Sequence, residues 1–213
     1  VKSRPIYIAT SNSGKLRDFA GAAALFGVEV RPLPGFSQMQ EPVEDGATFA
    51  ANAIKKAEHY SRLAPGKLVL ADDSGLEVFA LGGAPGVRSA RYAADAGETS
   101  SSHRESTDHA NNARLLRELA KISDANPDAR FVCVLAVAKN GRAIQTFEGD
   151  VRGTIIDKPR GNNGFGYDPL FFVPELGKTT AELSPRQKAA ISHRGRAFKK
   201  FLEWHGQHPA AGQ

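Results

Sequence analysis

The 213-residue chain is poor in sulfur and in long apolar segments, with one cysteine, one methionine and one tryptophan. A lone Cys133 excludes an internal disulfide and a thiolate metal cluster. Its setting in Phe131-Val132-Cys133-Val134-Leu135 predicts a small apolar core residue, not a reactive thiol. The longest apolar run, Phe131 to Ala138, has eight residues, well short of the roughly 20 that cross a bilayer. The opening Val1-Lys2-Ser3-Arg4-Pro5-Ile6-Tyr7-Ile8 passes into strand-like sequence without the apolar stretch and cleavage site of a signal peptide, so a cytoplasmic location is expected. Neither an internal repeat nor an interdomain linker is visible, and one domain over 1–213 is expected.

Hydrophobic residues make up 41% and charged residues 24%, the balance of an ordinary globular protein. The formal charge of +5 is local: residues 185–213 hold six Lys/Arg against one acid, while the first 184 residues balance. That segment also contains Ile191, Phe198, Phe201, Leu202 and Trp204, the mark of an amphipathic helix. A solvated basic helix face is favoured over a nucleic-acid surface, and a phosphate-bearing small molecule would also suit it.

The feature richest in chemistry is Ala71-Asp72-Asp73-Ser74-Gly75, adjacent carboxylates after the apolar Leu68-Val69-Leu70. Neighbouring side chains on a strand point to opposite faces, so two aspartates converge on one site only if the backbone turns, and Ser74-Gly75 predicts that turn. Paired carboxylates suit a hard cation such as Mg2+, which keeps waters and takes further ligands from substrate phosphates. The alternative is an Asx-type turn without chemistry.

The chain opens as strand (Ile6 to Ala9), turn (Thr10 to Gly14), helix (Lys15 to Phe26) and strand (Val28 to Val30), which favours an α/β class. A helix is predicted over Ala47 to Arg62, carrying Thr48, Asn52 and Lys56 as a polar stripe that would ordinarily face solvent. Strands are expected at Leu68 to Ala71 and Leu76 to Leu81, and a mobile loop over 93–107. Asp108 is expected to cap a helix from His109 to Ile122. Asn140-Gly141 predicts a hairpin between Phe131–Ala138 and Arg142–Phe147, so the sheet should be mixed. A further strand is expected from Val151 to Ile156, helix starts at Ser184-Pro185 and Ser192, and a flexible tail over 206–213.

Ala9-Thr10-Ser11-Asn12-Ser13-Gly14-Lys15-Leu16 fails the P-loop pattern at Ala9 and at Leu16, yet a helix N-terminus with small polar side chains and one lysine can bind an anion. Gly161-Asn162-Asn163-Gly164-Phe165-Gly166-Tyr167-Asp168-Pro169 suits a loop whose backbone closely approaches a ligand. Taken alone, Phe165 and Tyr167 could be core aromatics, Lys188 a surface lysine and His193-Arg194 a solvated helix start.

Six motifs occur in one order: Thr10 to Lys15, Thr48-Phe49-Ala50-Ala51-Asn52-Ala53, Ala71 to Leu76, Gly82-Gly83-Ala84-Pro85-Gly86, Gly164 to Pro169, and Ser192-His193-Arg194. From about residue 6 to residue 204 the chain resembles the Ham1/inosine triphosphate pyrophosphatase family. The resemblance implies an elongated α/β fold with a long twisted mixed sheet, two lobes and a cleft between them, as a homodimer. It implies Mg2+-dependent hydrolysis of non-standard purine nucleoside triphosphates (ITP, dITP, XTP) to the monophosphate and pyrophosphate. By the same resemblance Asp73 is general base and metal residue, with Asp72 and Glu44 as metal residues and Glu41 or Asp45 as substitutes for Glu44. Thr10, Ser11, Asn12, Ser13, Gly14, Lys15, Asn52 and Lys56 would hold the triphosphate, and Ser74 would touch substrate. Phe165 would stack on the base, Gly166, Tyr167 and Asp168 would complete the pocket, and Lys188, His193 and Arg194 would read the purine edge.

These roles are chemically coherent. Two lysines and a divalent cation neutralise most of a triphosphate, and a carboxylate can orient the attacking water. Donors facing a 6-oxo group reject adenine, whose amine would leave them unpaired. Guanine shares the 6-oxo group, so its rejection must involve the 2-amino position. Two other readings are a Maf-type pyrophosphatase with another modified base, and a non-catalytic nucleotide- or nucleic-acid-binding module.

Overall fold

The computed structural model describes residues 5–98, 104–123 and 127–208. Its strands form one seven-stranded mixed sheet in the order β2-β1-β3-β4-β5-β6-β7. These are β1 (Ile6–Ile8), β2 (Val30–Pro32), β3 (Val69–Val78), β4 (Asp128–Lys139), β5 (Arg142–Ile155), β6 (Phe171–Val173) and β7 (Lys178–Thr179). The helices are α1 (Ser13–Ala24), α2 (Phe49–Leu63), α3 (Arg104–Ala120), α4 (Pro185–Ile191) and α5 (His193–Gln207). None of the described helices is long and apolar enough to cross a membrane.

The chain divides into two compact units. One comprises residues 1–73, 133–150 and 189–213, and the other residues 74–132 and 151–188.

In the first unit β1 pairs in parallel with both β2 and β3, as the opening strand-helix-strand pattern predicted. Helix α1 starts at Ser13, two residues before the expected Lys15, because the Asn12 side chain accepts the Lys15 amide at 2.9 Å and caps the helix. The α2 N-terminus is closed in the same way by Thr48 on the Ala51 amide, at 3.1 Å, and α5 by Ser192 on the Gly195 amide, at 3.0 Å. The core joins Ile6, Ile8, Leu70, Cys133, Leu135 and Val137 to Phe19 of α1 and Phe198 and Phe201 of α5. Burial pushes the Cys133 thiol up, consistent with a packing role. A Cβ on Gly149 would strike the His193 carbonyl oxygen, so glycine lets β5 pass directly against the first turn of α5.

The β4–β5 connection is the expected two-residue turn, with Asn140 at φ 53° and Gly141 at φ 80°, both positive as a type I′ turn demands. The two strands expected after this turn, Arg142–Phe147 and Val151–Ile156, are one continuous β5.

In the second unit β6 is antiparallel to both β5 and β7. Its aromatic contact is Phe131 on Phe171, with centroids 4.4 Å apart. Helix α3 begins at Arg104, earlier than the predicted His109, so Asp108 lies inside the helix instead of capping it. Of the loop expected over 93–107, residues Ala94–Ala96 form a single 3-10 turn and 104–107 are helical; residues 99–103 lie outside the described residues. Of the expected tail, Gly206 and Gln207 end α5, and residues 209–213 lie outside the described residues.

Candidate active site

The predicted turn at Ser74-Gly75 does not form. Strand β3 runs unbroken from Val69 to Val78, through both aspartates. It lies between β1 and β4 in the sheet order, with β1 paired to it at Val69 and Leu70, and its place in the sheet overrides the local turn signal. Alternation therefore sends Asp72 and Asp73 to opposite faces.

Asp72 meets α1 and α5. Its carboxylate is 3.0 Å from Lys15 Nζ and 3.8 Å from Arg194 Nε, and the Arg194 guanidinium also donates to Asp18 at 2.9 Å. Burial alone would raise the Asp72 pKa. Lys15, Arg194 and Lys56 together outweigh it and hold the group at about 2.

Asp73 meets α2. Asn52 Nδ2 donates to one carboxylate oxygen at 3.0 Å, and Lys56 Nζ lies 3.4 Å from the other. Lys56 also donates to Glu44 at 3.1 Å, so one buried ammonium bridges two carboxylates. Asn52 is fixed in turn by the Gly46 amide, which donates to its Oδ1 at 2.8 Å. Burial raises the Asp73 pKa above the ordinary carboxylate value, and Lys56, Lys15 and the Asn52 bond do not cancel it. The Lys56 pKa is raised as well: burial disfavours its charge, but Asp73, Asp72 and Glu44 outweigh that. Of the polar stripe of α2, Asn52 and Lys56 therefore face a buried carboxylate and not solvent, while Thr48 caps the helix and is exposed.

The turn expected before α1 forms. Thr10 Oγ1 accepts the Asn12 amide at 3.2 Å, Ser11 donates to Glu41 at 3.2 Å, Ser13 and Gly14 open α1, and Lys15 points to Asp72. Beside it opens a cavity of about 430 Å³, lined in part by Thr10, Ser11, Leu33, Phe36, Met39 and Glu41. Asp45 pairs with Lys55 at 2.6 Å and is exposed.

In the second unit the Phe165 to Asp168 loop is tightly bonded. Asp168, 2% exposed, accepts the Phe165 amide at 2.8 Å, the Thr180 hydroxyl at 2.8 Å and Lys188 Nζ at 2.6 Å. The same ammonium lies 5.1 Å from the Phe165 ring centroid. Tyr167 is buried and donates to the Ser89 carbonyl at 2.9 Å. Ser74 is half-buried.

The structure thus groups Asp73 with Glu44, Asn52 and Lys56, and Asp72 with Lys15 and Arg194. Lys188 joins Asp168 and Phe165, while His193 and Arg194 open α5 in the first unit. Sequence reasoning missed Asp18, although its place three residues after Lys15 on one helix face was a usable signal. It also missed Thr180, which no local pattern marks. The basic C-terminal segment is largely engaged within the chain: Lys188 and Arg194 are buried in ion pairs, and Arg196 and Lys200 donate to the Asp150 and Glu148 carbonyls at 2.7 Å each. A solvated nucleic-acid-binding face gains no support from this arrangement.

Among the described residues no cluster of three or more His, Cys, Asp or Glu side chains could hold a metal ion alone. Glu44 and Asp73 nevertheless present hard oxygens on either side of one ammonium, a place where the fold already keeps positive charge. Two carboxylates, completed by water and phosphate oxygens, fit a small divalent cation.

Buried acids, the lysines paired with them and a capped helix N-terminus on an α/β sheet are groups of the kind that can bind phosphate oxygens. The chain belongs to the Ham1 family, whose model matches residues 6–204. It is 52% identical over 197 residues to a protein of Acidobacterium capsulatum named dITP/XTP pyrophosphatase, covering 92% of this chain and 96% of that one. A Thermus thermophilus protein of the same name is 43% identical over 203 residues, covering 95% and 92%. Among solved structures, a Ham1 protein of Staphylococcus aureus superposes with a TM-score of 0.77 at 40% identity, covering 96% of this chain and 100% of that one. A HAM1 protein of Coxiella burnetii gives 0.80 at 36%, with the same coverage.

Proposed function

We propose that the chain hydrolyses non-standard purine nucleoside triphosphates, ITP, dITP and XTP, to the monophosphate and pyrophosphate, with Asp73 as the general base. The activity follows from membership of the family and from relatives named dITP/XTP pyrophosphatase that match nearly the whole chain. The assignment of residues is carried by one observation, the buried Asp73 held between Asn52 and Lys56 and sharing that lysine with Glu44.

A buried carboxylate whose pKa lies above the ordinary range is a better proton acceptor at neutral pH than a solvated one. Asn52 fixes one Asp73 oxygen, and the other, 3.4 Å from Lys56 Nζ, orients the water that attacks the α-phosphorus and takes its proton. Lys15 and Lys56 neutralise phosphate charge, and the amides and hydroxyls of Thr10 to Gly14 bind its oxygens at the α1 N-terminus. Glu44 and Asp73 would hold Mg2+; when bound, it lowers the pKa of a water and offsets charge on the phosphates. In this reading Asp72 serves the site through Lys15 and Arg194.

Phe165 stacks on the base. Lys188, 5.1 Å from the Phe165 ring centroid, supplies a cation toward the 6-oxo group. His193 and Arg194 belong to the same purine-reading assignment, supported by the family motif at Ser192 to Arg194. A homodimer rests on the family resemblance as well.

The test is to incubate purified protein with ITP and Mg2+ and to identify the products. IMP with pyrophosphate is expected; IDP with orthophosphate would overturn the reading.

A further inference from the structure

Asp108 and Asn112 have no part in the roles assigned so far, yet both side chains leave α3 to grip a single residue of the aromatic loop, Gly166, through the peptide groups on either side of it. Asp108 Oδ2 accepts the Gly166 amide at 2.8 Å, and Asn112 Nδ2 donates to the Gly166 carbonyl at 3.0 Å. The two residues are four apart and so share one helix face. The Gly166 backbone sits at φ +62°, a conformation that glycine adopts without strain. The carboxylate-to-amide bond is charge-assisted, which makes this a strong anchor.

A second connection runs through the neighbouring residue. Tyr167 donates to the Ser89 carbonyl at 2.9 Å. Asn111 of α3 holds that same carbonyl at 3.3 Å through Nδ2 and the Ala93 amide at 2.8 Å through Oδ1. Helix α3 therefore fixes Gly166 directly and Tyr167 through the 89–93 segment. Phe165 is the residue immediately before Gly166 and shares with it the peptide whose N–H Asp108 accepts, and its own amide is tied within the loop, to Asp168 at 2.8 Å.

We infer that Asp108 and Asn112 are positioning residues that set the place of the Phe165 ring and thereby the affinity for the purine base. The inference rests on the proposed stacking role of Phe165. It also explains why an aspartate expected to cap α3 lies inside the helix: its partner is the loop amide.

The test compares Asp108→Ala, Asn112→Ala and the conservative Asp108→Asn, which keeps an acceptor oxygen, with the unaltered protein. Amide hydrogen exchange over residues 161–168 and steady-state kinetics on ITP are read together. Both alanine variants should exchange the Gly166 amide faster, by about tenfold. Each should raise KM for ITP by about tenfold with kcat within about twofold, and Asp108→Asn should restore most of both. A general loss of structure would instead raise exchange across the core strands; if Asp108→Ala behaves so, Asn112→Ser replaces it as the milder variant. Unchanged exchange at Gly166, or a fall in kcat at constant KM, would overturn the inference. Should the unaltered protein fail to hydrolyse ITP, the functional reading falls, and the exchange comparison still decides whether the clamp exists.

Discussion

The two faces of strand β3 carry adjacent aspartates in opposed electrostatic settings. On the α1/α5 face Asp72 is matched by Lys15 and Arg194, and its pKa is held at about 2. On the α2 face Asp73 has an amide and one shared ammonium, and burial raises its pKa. The first arrangement stabilises an ion pair, and the second keeps a carboxylate less solvated than its charge demands. Perturbation of that second kind is what the proposed general base requires.

The comparison can be broken by substitution on each face. Asp73→Asn removes the proton acceptor and should lower kcat on ITP by about 10³-fold, within the range for a lost general base, with the fold intact by circular dichroism. Glu44→Gln should weaken the cation site and raise the Mg2+ concentration for half-maximal rate by about tenfold, with full loss of activity in chelator for the unaltered protein. Lys56→Met removes the cation that favours the Asp73 charge. The acid limb of kcat/KM, already expected above the ordinary value of 3.8, should then move to higher pH by about one unit. The smallest effect on catalysis is expected for Asp72→Asn, with kcat within about threefold and the loss falling on stability.

That loss has a defined pH window. Because the folded pKa of Asp72 is depressed, its contribution is complete above the unfolded value of 3.8 and disappears as pH falls through about 2. Its size is about 2 kcal/mol, measurable by urea unfolding at neutral pH and progressively absent in acid. The sign is reversed for Asp73. A raised folded pKa means that ionisation opposes folding above pH 3.8, so Asp73→Asn should be as stable as the unaltered protein at neutral pH, or more so.

Much of this was legible in the chain. The strand-helix-strand opening, the Ser192 cap, the Asn140-Gly141 hairpin and the core place of Cys133 follow from local chemistry, and local chemistry decided them. What misled was also local. Ser74-Gly75 carries a turn signal, but the place of β3 in the sheet overrides it. Asn52 and Lys56 lie on a stripe with the period of a solvent face, and only Asp73, 21 and 17 residues further on, gives the stripe a buried partner. Asp108 has the composition of a cap, and its true partner is an amide 58 residues away. The errors share one cause: a polar side chain announces that it needs a partner, and the period of its own segment does not say where that partner is.

The most direct measurement places Asp72→Asn and Asp73→Asn side by side, with kcat/KM on ITP and urea stability determined for each at neutral pH. A crossed result is predicted: Asp73→Asn loses activity by about 10³-fold with stability preserved or increased, while Asp72→Asn loses about 2 kcal/mol of stability and far less activity. Equal losses of activity in both variants, or a stability loss confined to Asp73→Asn, would contradict the division of roles between the two faces.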